Sequence, residues 1–502
     1  RANKTLYVDE AQAQVLPDEK EKAVSPLLVD ITDVIKTGYI HQEQDIIDFN
    51  VQKLLPHKFS QFGPALAVGD VNGDGLDDIF VGGASQYKGR FLLQNATGKF
   101  EVKDFLPGLE GKEKLSEDMG VLLFDAEKDG DLDLYVVSGS YEFPAGDQNY
   151  KDHLFINDGK GHFQSADQAI PALLKSGSCI KAVDYDRDGD LDLFIGGRVE
   201  PGAYPKPVNS YILRNEAPQV KFTDVTAQVA PQLNQVGLIC DALWTDYDND
   251  GWMDLALAGE FMPVTFLKNQ NGKLTSAQET GIESYKGWWN SLSAGDFDND
   301  GDMDYVAGNL GLNSLNRASD SNPITVYAKD FNSDGHYDAI PTVFYKDLDG
   351  VRKEFPFSTR DDLAKQFIQT RQRFDSYAKY AKATINEVLK PEELKDAVIL
   401  KANWMKTSYL ENQGNGKFKI KELPIQTQFA PVFGMVVQDF DQDGNLDVLM
   451  TGNDYATELT VGRLDASQGN ILKGDGKGGF TVLPIAQSGY RVTGDAKALV
   501  EL

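Results

Sequence analysis

Residues Asp184–Asp192 read DYDRDGDLD, five aspartates around a single glycine within nine positions. Carboxylates this close repel one another, so such a turn persists only if it is solvated or if it holds a cation. The stretch is not unique. DVNGDGLDD begins at Asp70, DAEKDGDLD at Asp125, DYDNDGWMD at Asp246, DFDNDGDMD at Asp296, DFNSDGHYD at Asp330 and DFDQDGNLD at Asp439. Seven copies of D-x-[DNE]-x-D-G-x-x-D in one register are an internal repeat, and the repeat organises the chain.

Each copy is preceded by a strand-like run such as ALAVG, IKAV or SLSAG and followed by an apolar one such as DIFVGG, DLYVVSG or DLFIGG. The motif therefore reads as a tight loop joining two strands, with glycine at position 6 permitting the sharp turn. An EF-hand loop starts the same way but needs an acidic ligand at position 12. Position 12 here is Val81, Val136, Ile195, Leu257, Ala307, Pro341 and Met450. The closing carboxylate falls at position 9 instead, which excludes EF-hands and leaves a strand-loop-strand calcium site.

Positions 1, 3, 5 and 9 offer side-chain oxygens and position 7 its backbone carbonyl. The first copy supplies Asp70, Asn72, Asp74 and Asp78 with the carbonyl of Leu76, and the second Asp125, Glu127, Asp129 and Asp133 with that of Asp131. The third supplies Asp184, Asp186, Asp188 and Asp192 with Asp190, and the fourth Asp246, Asp248, Asp250 and Asp254 with Trp252. Asp296, Asp298, Asp300 and Asp304 with Asp302 form the fifth, and Asp330, Asn332, Asp334 and Asp338 with His336 the sixth. The seventh is Asp439, Asp441, Asp443 and Asp447 with Asn445. All-oxygen sets favour calcium over zinc or copper, with magnesium second. Glu127 crowds its loop, and Asn72 and Asn332 lower the charge of theirs, so the third, fourth, fifth and seventh copies are expected to bind Ca2+ most tightly. Up to seven ions would halve the formal charge of −28, giving the metal a structural role.

A second repeated element, FLLQNATGKF, LFINDGKGHF, YILRNEAPQVKF, TFLKNQNGKL, SYLENQGNGKF and NILKGDGKGGF, reads as strand, turn, strand. One unit is then four strands. Early motif starts lie 55, 59, 62 and 50 residues apart, room for a four-stranded blade. The fold class is all-β: a β-propeller with seven blades expected and eight as the alternative. After Asp296 the next motifs follow at 34 and then 109 residues, which places Asp330 in an outer hairpin of the fifth blade. The excess length, about 358–400, has helix-cap signals at Ser358/Asp361 and Thr359/Asp362 and reads as a helical insertion. Residues 1–55 are an N-terminal segment, in which PLLVDITD is expected to close the ring against the C-terminal AKALVEL; residues 56–502 form the propeller.

The segments FGPALAVGDVNGDGLDDIFVGGA and FGMVVQDFDQDGNLD resemble FG-GAP/VCBS-repeat propellers, the class that includes the integrin α-subunit head. NKTLYV near the N-terminus is similar to the end of an ASPIC/UnbV segment, which implies part of a longer secreted protein. The resemblance implies calcium binding and an extracellular, cell-surface or periplasmic module that binds other molecules.

Composition narrows the function classes. A charge of −28 argues against nucleic acid and anionic membrane surfaces. No apolar run approaches the length of a membrane helix. The chain opens on Arg1, which reads as a processed or excised product. Cys179 and Cys240 are expected as free thiols. Five histidines without metal-ligand spacing, and no G-x-S-x-G, give no catalytic signature; GDGKGG at Gly474 precedes a strand rather than a helix, so it is no dinucleotide fingerprint.

If the aspartate loops line one rim, the dissimilar loops that leave each second strand line the other. That face would carry Tyr87, Tyr141, Tyr204, Trp288, Trp289 and Tyr455 with Arg198, Glu200, Glu260, Asn309 and Arg463. Aromatic platforms with planar polar groups suit a glycan or a protein ligand. Adjacent side chains on a strand point opposite ways, so at most one of Trp288 and Trp289 need be buried. The leading expectation is a calcium-stabilised binding module; a polysaccharide lyase on a calcium-rich propeller and a structural scaffold are the alternatives.

Overall fold

The computed structural model describes residues 25–35, 37–108 and 111–502. The NKTLYV stretch and the start of the N-terminal segment lie outside the described residues. Strands dominate and are gathered into seven antiparallel sheets, each a path of four strands, with one extra short strand on the fourth. The protein is an all-β propeller.

Six sheets follow one another along the chain. Each starts with a strand at the axis: Leu66–Gly69, Glu117–Phe124, Ser176–Val183, Leu238–Thr245, Ser291–Gly295 and Val432–Gln438. Each of these packs beside the next one in turn. From the second of these blades to the sixth, the second strand, Asp133–Gly139 for example, is buried at every position. It lies between neighbouring blades, so both of its faces must be apolar, and this is why its sequence shows no alternation. Successive blades share their cores. Phe124, Tyr135 and Leu154 pack with Ile180, Leu193 and Phe222, and Ala256 and Phe266 pack with Tyr305 and Phe418.

The fifth blade departs from expectation. Its strand Asp304–Gly308 pairs with Ser408–Asn412, Tyr305 opposite Leu410. Everything between is an insertion within the blade. Asp330 is therefore not in an outer hairpin of blade five. It joins two strands of a separate sheet ordered Arg352–Pro356, Asp338–Lys346, Ile324–Lys329, Val398–Ala402. The helical segment is confirmed as four short helices, Arg360–Gln366, Gln369–Arg373, Tyr377–Tyr380 and Ile385–Val388. Of the cap signals, Thr359 caps the first helix by accepting the Asp362 N–H at 3.3 Å.

The inserted sheet is sandwiched. One face carries Tyr327 and Ile340 under Leu363, Phe367, Ile385 and Val388 of the helices. The other presents Ile324, Val326, Ala328 and Ala402 to Tyr141, Val199, Tyr204, Phe261 and Trp288 of the propeller, with Leu55 and Phe59 between. It thus covers the propeller face opposite the aspartate loops.

PLLVDITD forms no strand against AKALVEL. Leu27 and Leu28 N–H donate to Gln487 and Ser488 carbonyls, and Thr32–Ile35 is a helical turn. The C-terminal residues form no strand either; Ala496 N–H donates to the Gly452 carbonyl, and Leu499 lies against Gly434 of the sixth blade's inner strand.

Two side chains repeat from blade to blade and join the parts. The position-9 aspartate is fully buried in Asp78, Asp133, Asp192, Asp254, Asp304 and Asp447. Its Oδ1 accepts a third-strand N–H, from Gln94, Asn157, Asn215, Asn269, Asn412 and Gly474 respectively, at 2.6–2.9 Å. In the third strand, an asparagine donates its Nδ2 across the blade boundary to the position-2 carbonyl of the preceding loop. Asn157 reaches Val71 at 2.8 Å, Asn215 reaches Ala126 at 2.9 Å, Asn269 reaches Tyr185 at 2.7 Å and Asn412 reaches Tyr247 at 2.8 Å. These carbonyls are buried, and leaving one unpaired has a cost. Asn269→Ala should therefore destabilise the protein by about 1–3 kcal/mol, read as a lower urea midpoint with an unchanged m-value.

Candidate metal loops and the opposite face

The seven loops share one backbone. Position 4 is left-handed in all of them, at Gly73, Lys128, Arg187, Asn249, Asn299, Ser333 and Gln442, and so is the glycine at position 6. Two left-handed residues in three fold the loop over its own carboxylates. The position-1 aspartate accepts the position-6 N–H at 2.8–3.1 Å in every copy. The position-5 aspartate accepts the position-7 N–H at 2.9–3.2 Å, from Leu76, Asp131, Asp190, Trp252, Asp302, His336 and Asn445. Position-4 side chains link neighbouring loops: Arg187 donates to the Gly251 carbonyl and stacks on Trp252, and Asn249 donates to Asp302 at 2.6 Å.

Folding thus explains the acidic residues at positions 1, 5 and 9. It does not explain position 3. An ionisable residue there buries one unpartnered oxygen in Glu127, Asp248, Asp298 and Asp441, whereas Asp186 accepts the Asp188 N–H at 3.3 Å and the third loop's unpartnered oxygens belong to Asp184, Asp190 and Asp192. Asn72 and Asn332, by contrast, spend their side-chain oxygen on the position-5 N–H, at 3.0 and 3.1 Å. Three carboxylates converge within 4.8 Å of one another in four loops: Asp184, Asp186 and Asp192; Asp246, Asp248 and Asp250; Asp296, Asp298 and Asp300; Asp439, Asp441 and Asp447. These are the third, fourth, fifth and seventh copies. Asp125, Asp129, Asp70, Asp74, Asp330 and Asp334 hold the same loop shape without such a triple convergence among the described residues.

The electrostatics show what the loops lack. Burial, reinforced by neighbouring carboxylates, raises Asp133, Asp254 and Asp338 to about 7 and Asp192 to about 8. Asp78 and Asp304 rise to about 6 for the same leading reason. A divalent ion supplies the positive charge that reverses this. In two loops a lysine from the third strand stands in part for it: Lys268 contacts Asp248 and Asp250, and Lys473 contacts Asp441 and Asp443. The carboxylate oxygens, spacing and unpartnered atoms fit a hard cation of the calcium type.

The opposite face is not an open aromatic platform. Tyr141, Tyr204, Trp288, Trp289, Arg198, Glu260 and Asn309 are all buried. Both tryptophans are covered because each side of their strand meets a different layer. Trp288 packs under the inserted sheet, and Trp289 packs in the core of blades four and five. Asn309 accepts the Trp288 N–H at 3.1 Å, and Tyr141 donates to Gln52 at 2.5 Å. Tyr87 and Glu200 are half-buried, the latter paired with Lys206 at 2.9 Å. Tyr455 remains exposed, with the Arg463 guanidinium 4.6 Å over its ring.

Arg198, Glu260 and Tyr204 do come together, but as a buried cluster completed by His57, which the sequence did not single out. Glu260 pairs with Arg198, accepts from Tyr204 at 3.1 Å, and lies 3.0 Å from His57 Nε2. Burial would raise the Glu260 carboxyl, but Arg198 and His57 outweigh it and hold it at about 2. Its stabilisation is therefore complete above the ordinary value of 4.5 and is lost as pH falls through about 2. Cys179 and Cys240 are free thiols.

Comparison with known proteins fits this architecture. Three stretches, residues 70–136, 125–195 and 246–307, match the FG-GAP-like repeat. The chain thus carries FG-GAP-like repeats within a β-propeller of four-stranded sheets. No curated protein sequence matches it. Among solved structures it is similar to an Agrocybe aegerita lectin that recognises non-reducing terminal N-acetylglucosamine. Identity there is 14%, over 85% of this chain and 79% of that one, with a TM-score of 0.41. A Bifidobacterium bifidum protein assigned as an exo-β-1,3-galactanase aligns at 12% identity over 60% of this chain and 94% of its own, with a TM-score of 0.27. No described helix is long and apolar enough to cross a membrane.

Two substitutions test these assignments. Glu260→Gln leaves Arg198 buried without its counter-charge and should cost about 3–5 kcal/mol near neutral pH, read by chemical denaturation. Lys268→Met removes the fourth loop's internal cation. It should lower the melting temperature in EDTA, with the gap to wild type closing in millimolar calcium.

Proposed function

We propose that this chain is a calcium-stabilised binding module, working outside the cell or in the periplasm, that recognises a glycan or a protein. The observation that carries the calcium reading is the position-3 oxygen. Glu127, Asp248, Asp298 and Asp441 each bury an oxygen that has no partner in the fold, in loops whose position-1, position-5 and position-9 aspartates already accept backbone N–H groups. A buried, unpaired carboxylate oxygen is costly unless a cation takes it. Millimolar extracellular calcium suits loops of this kind, and the unlike loops on the far rim support a recognition role.

On that rim the exposed candidates reduce to the Tyr455–Arg463 pair and the half-buried Tyr87 and Glu200. The ligand then meets the periphery of the covered face rather than its centre. Melting in calcium against EDTA tests the metal. Calcium is expected to raise the transition temperature, and Asp248→Asn to shrink the increment; an unchanged transition in both media removes the structural-calcium reading. Calcium-loaded protein on glycan and protein arrays tests recognition, with Tyr455→Ala expected to weaken any ligand held at this rim.

A further inference from the structure

One position in the third strand sets apart loops that otherwise look alike. It directly precedes the residue whose backbone N–H bonds to the position-9 aspartate. From blade one to blade six it is Leu93, Ile156, Arg214, Lys268, Glu411 and Lys473. Arg214 pairs with Glu216 at 3.1 Å, and Glu411 pairs with Lys421 at 2.8 Å. Of the six, Lys268 and Lys473 alone pair with loop aspartates. Lys268 bridges positions 3 and 5 of the fourth loop, Asp248 and, at 3.0 Å, Asp250. Lys473 bridges the same positions of the seventh, Asp441 and, at 2.7 Å, Asp443. Among the described residues, no lysine or arginine pairs with Asp186 and Asp188 of the third loop or with Asp298 and Asp300 of the fifth.

The lysines leave their loops incompletely satisfied. Each takes one oxygen of the position-3 carboxylate, and the other, Asp248 Oδ1 or Asp441 Oδ1, stays buried without a partner. One ammonium charge also stands against four loop carboxylates, whereas a calcium-type ion brings two charges and takes several oxygens at once. Positions 3 and 5 cannot serve both. The lysine side chains are 29% and 34% exposed, so each ammonium can turn out to solvent while its stem stays on the strand.

We propose that the fourth and seventh loops are exchange sites for a divalent cation: the lysine holds the carboxylates when the ion is scarce and yields them when it is abundant. The third and fifth loops have no such competitor and fill first. This rests on the calcium reading above and adds a graded response to it, with blades four and six keeping an internal cation when the ion is withdrawn.

The test uses the full chain, with terbium as the calcium probe and Trp252, at position 7 of the fourth loop, as its sensitiser. The emission removed by Asp248→Asn belongs to that loop. In the wild type it should require about 10-fold more terbium than in Lys268→Met, and Lys268→Arg should behave as the wild type. Calcium calorimetry should show a tight and a weak class of sites, and Lys268→Met combined with Lys473→Met should move two ions from the weak class to the tight one. Lys473→Met alone gives the same comparison by calorimetry should Lys268→Met fail to fold. Equal terbium affinity in the wild type and Lys268→Met overturns the exchange. So does a wild-type fourth loop that stays empty at millimolar ion while the variant fills. Absence of calcium binding in the wild type and in every variant removes the calcium reading itself, a result distinct from tight sites that ignore the lysines.

Discussion

The buried carboxylate at position 9 is the contact on which the blades depend. It sits at the foot of the second strand and binds the loop behind it and the third strand beside it. Asp133, for example, accepts from Ala126 at 2.8 Å and from Asn157 at 2.9 Å. A neutral asparagine could not accept with both ends, and a glutamate would reach past both donors. The same charge, repeated six times around one rim and crowded by others, is what lifts these aspartates towards neutrality. A design that needs buried anions for its backbone geometry thereby creates a demand for cations. Ion binding and blade formation are two answers to one electrostatic problem.

The sequence announced the loops, the four-strand unit and the apolar second strands because each is a local pattern with a local cause. The glycine at position 6, the aspartate at position 9 and the unbroken DLFIGG-type runs all act on residues nearby. The Asn157, Asn215, Asn269 and Asn412 bridges were also visible, at one position of the second repeated element, but their acceptors lie 84–165 residues away and no pattern points there. What stayed hidden was long-range. The copy SYLENQGNGKF marks a strand from Ser408, but nothing in the residues after Asp304 joins the two across the chain between them. The interrupted motif spacing gave the excess length but not its destination. Hence the aromatic residues read as an open platform are floor and wall of an interior.

Covering that face changes which residues can serve recognition. Tyr141, Tyr204 and Trp288 become the packing surface for Ile324, Val326 and Ala328. Arg198 and Glu260 become a buried ion pair with His57 and Tyr204 around it. Most of their polar atoms are spent within the protein, although one Arg198 guanidinium nitrogen and the Trp288 indole N–H keep no partner. The exposed Tyr455 ring under Arg463 keeps the character expected of the whole face.

The insertion also bears on the order of assembly. Blades one to four are each complete within a short stretch of chain and can close as they leave the ribosome. Blade five cannot: its inner pair, Ser291–Gly295 and Asp304–Gly308, waits for a third strand that lies beyond an entire sheet and four helices. Until Ser408–Asn412 arrives, the flank of blade four that holds Phe266 and Ala256 lacks Phe418 and Leu410. Long-range pairing of this kind slows folding and leaves apolar surface exposed meanwhile. The half-built propeller is then an arc with a sticky end, and the inserted sheet, which folds from contiguous residues, reaches its structure before the blade that carries it.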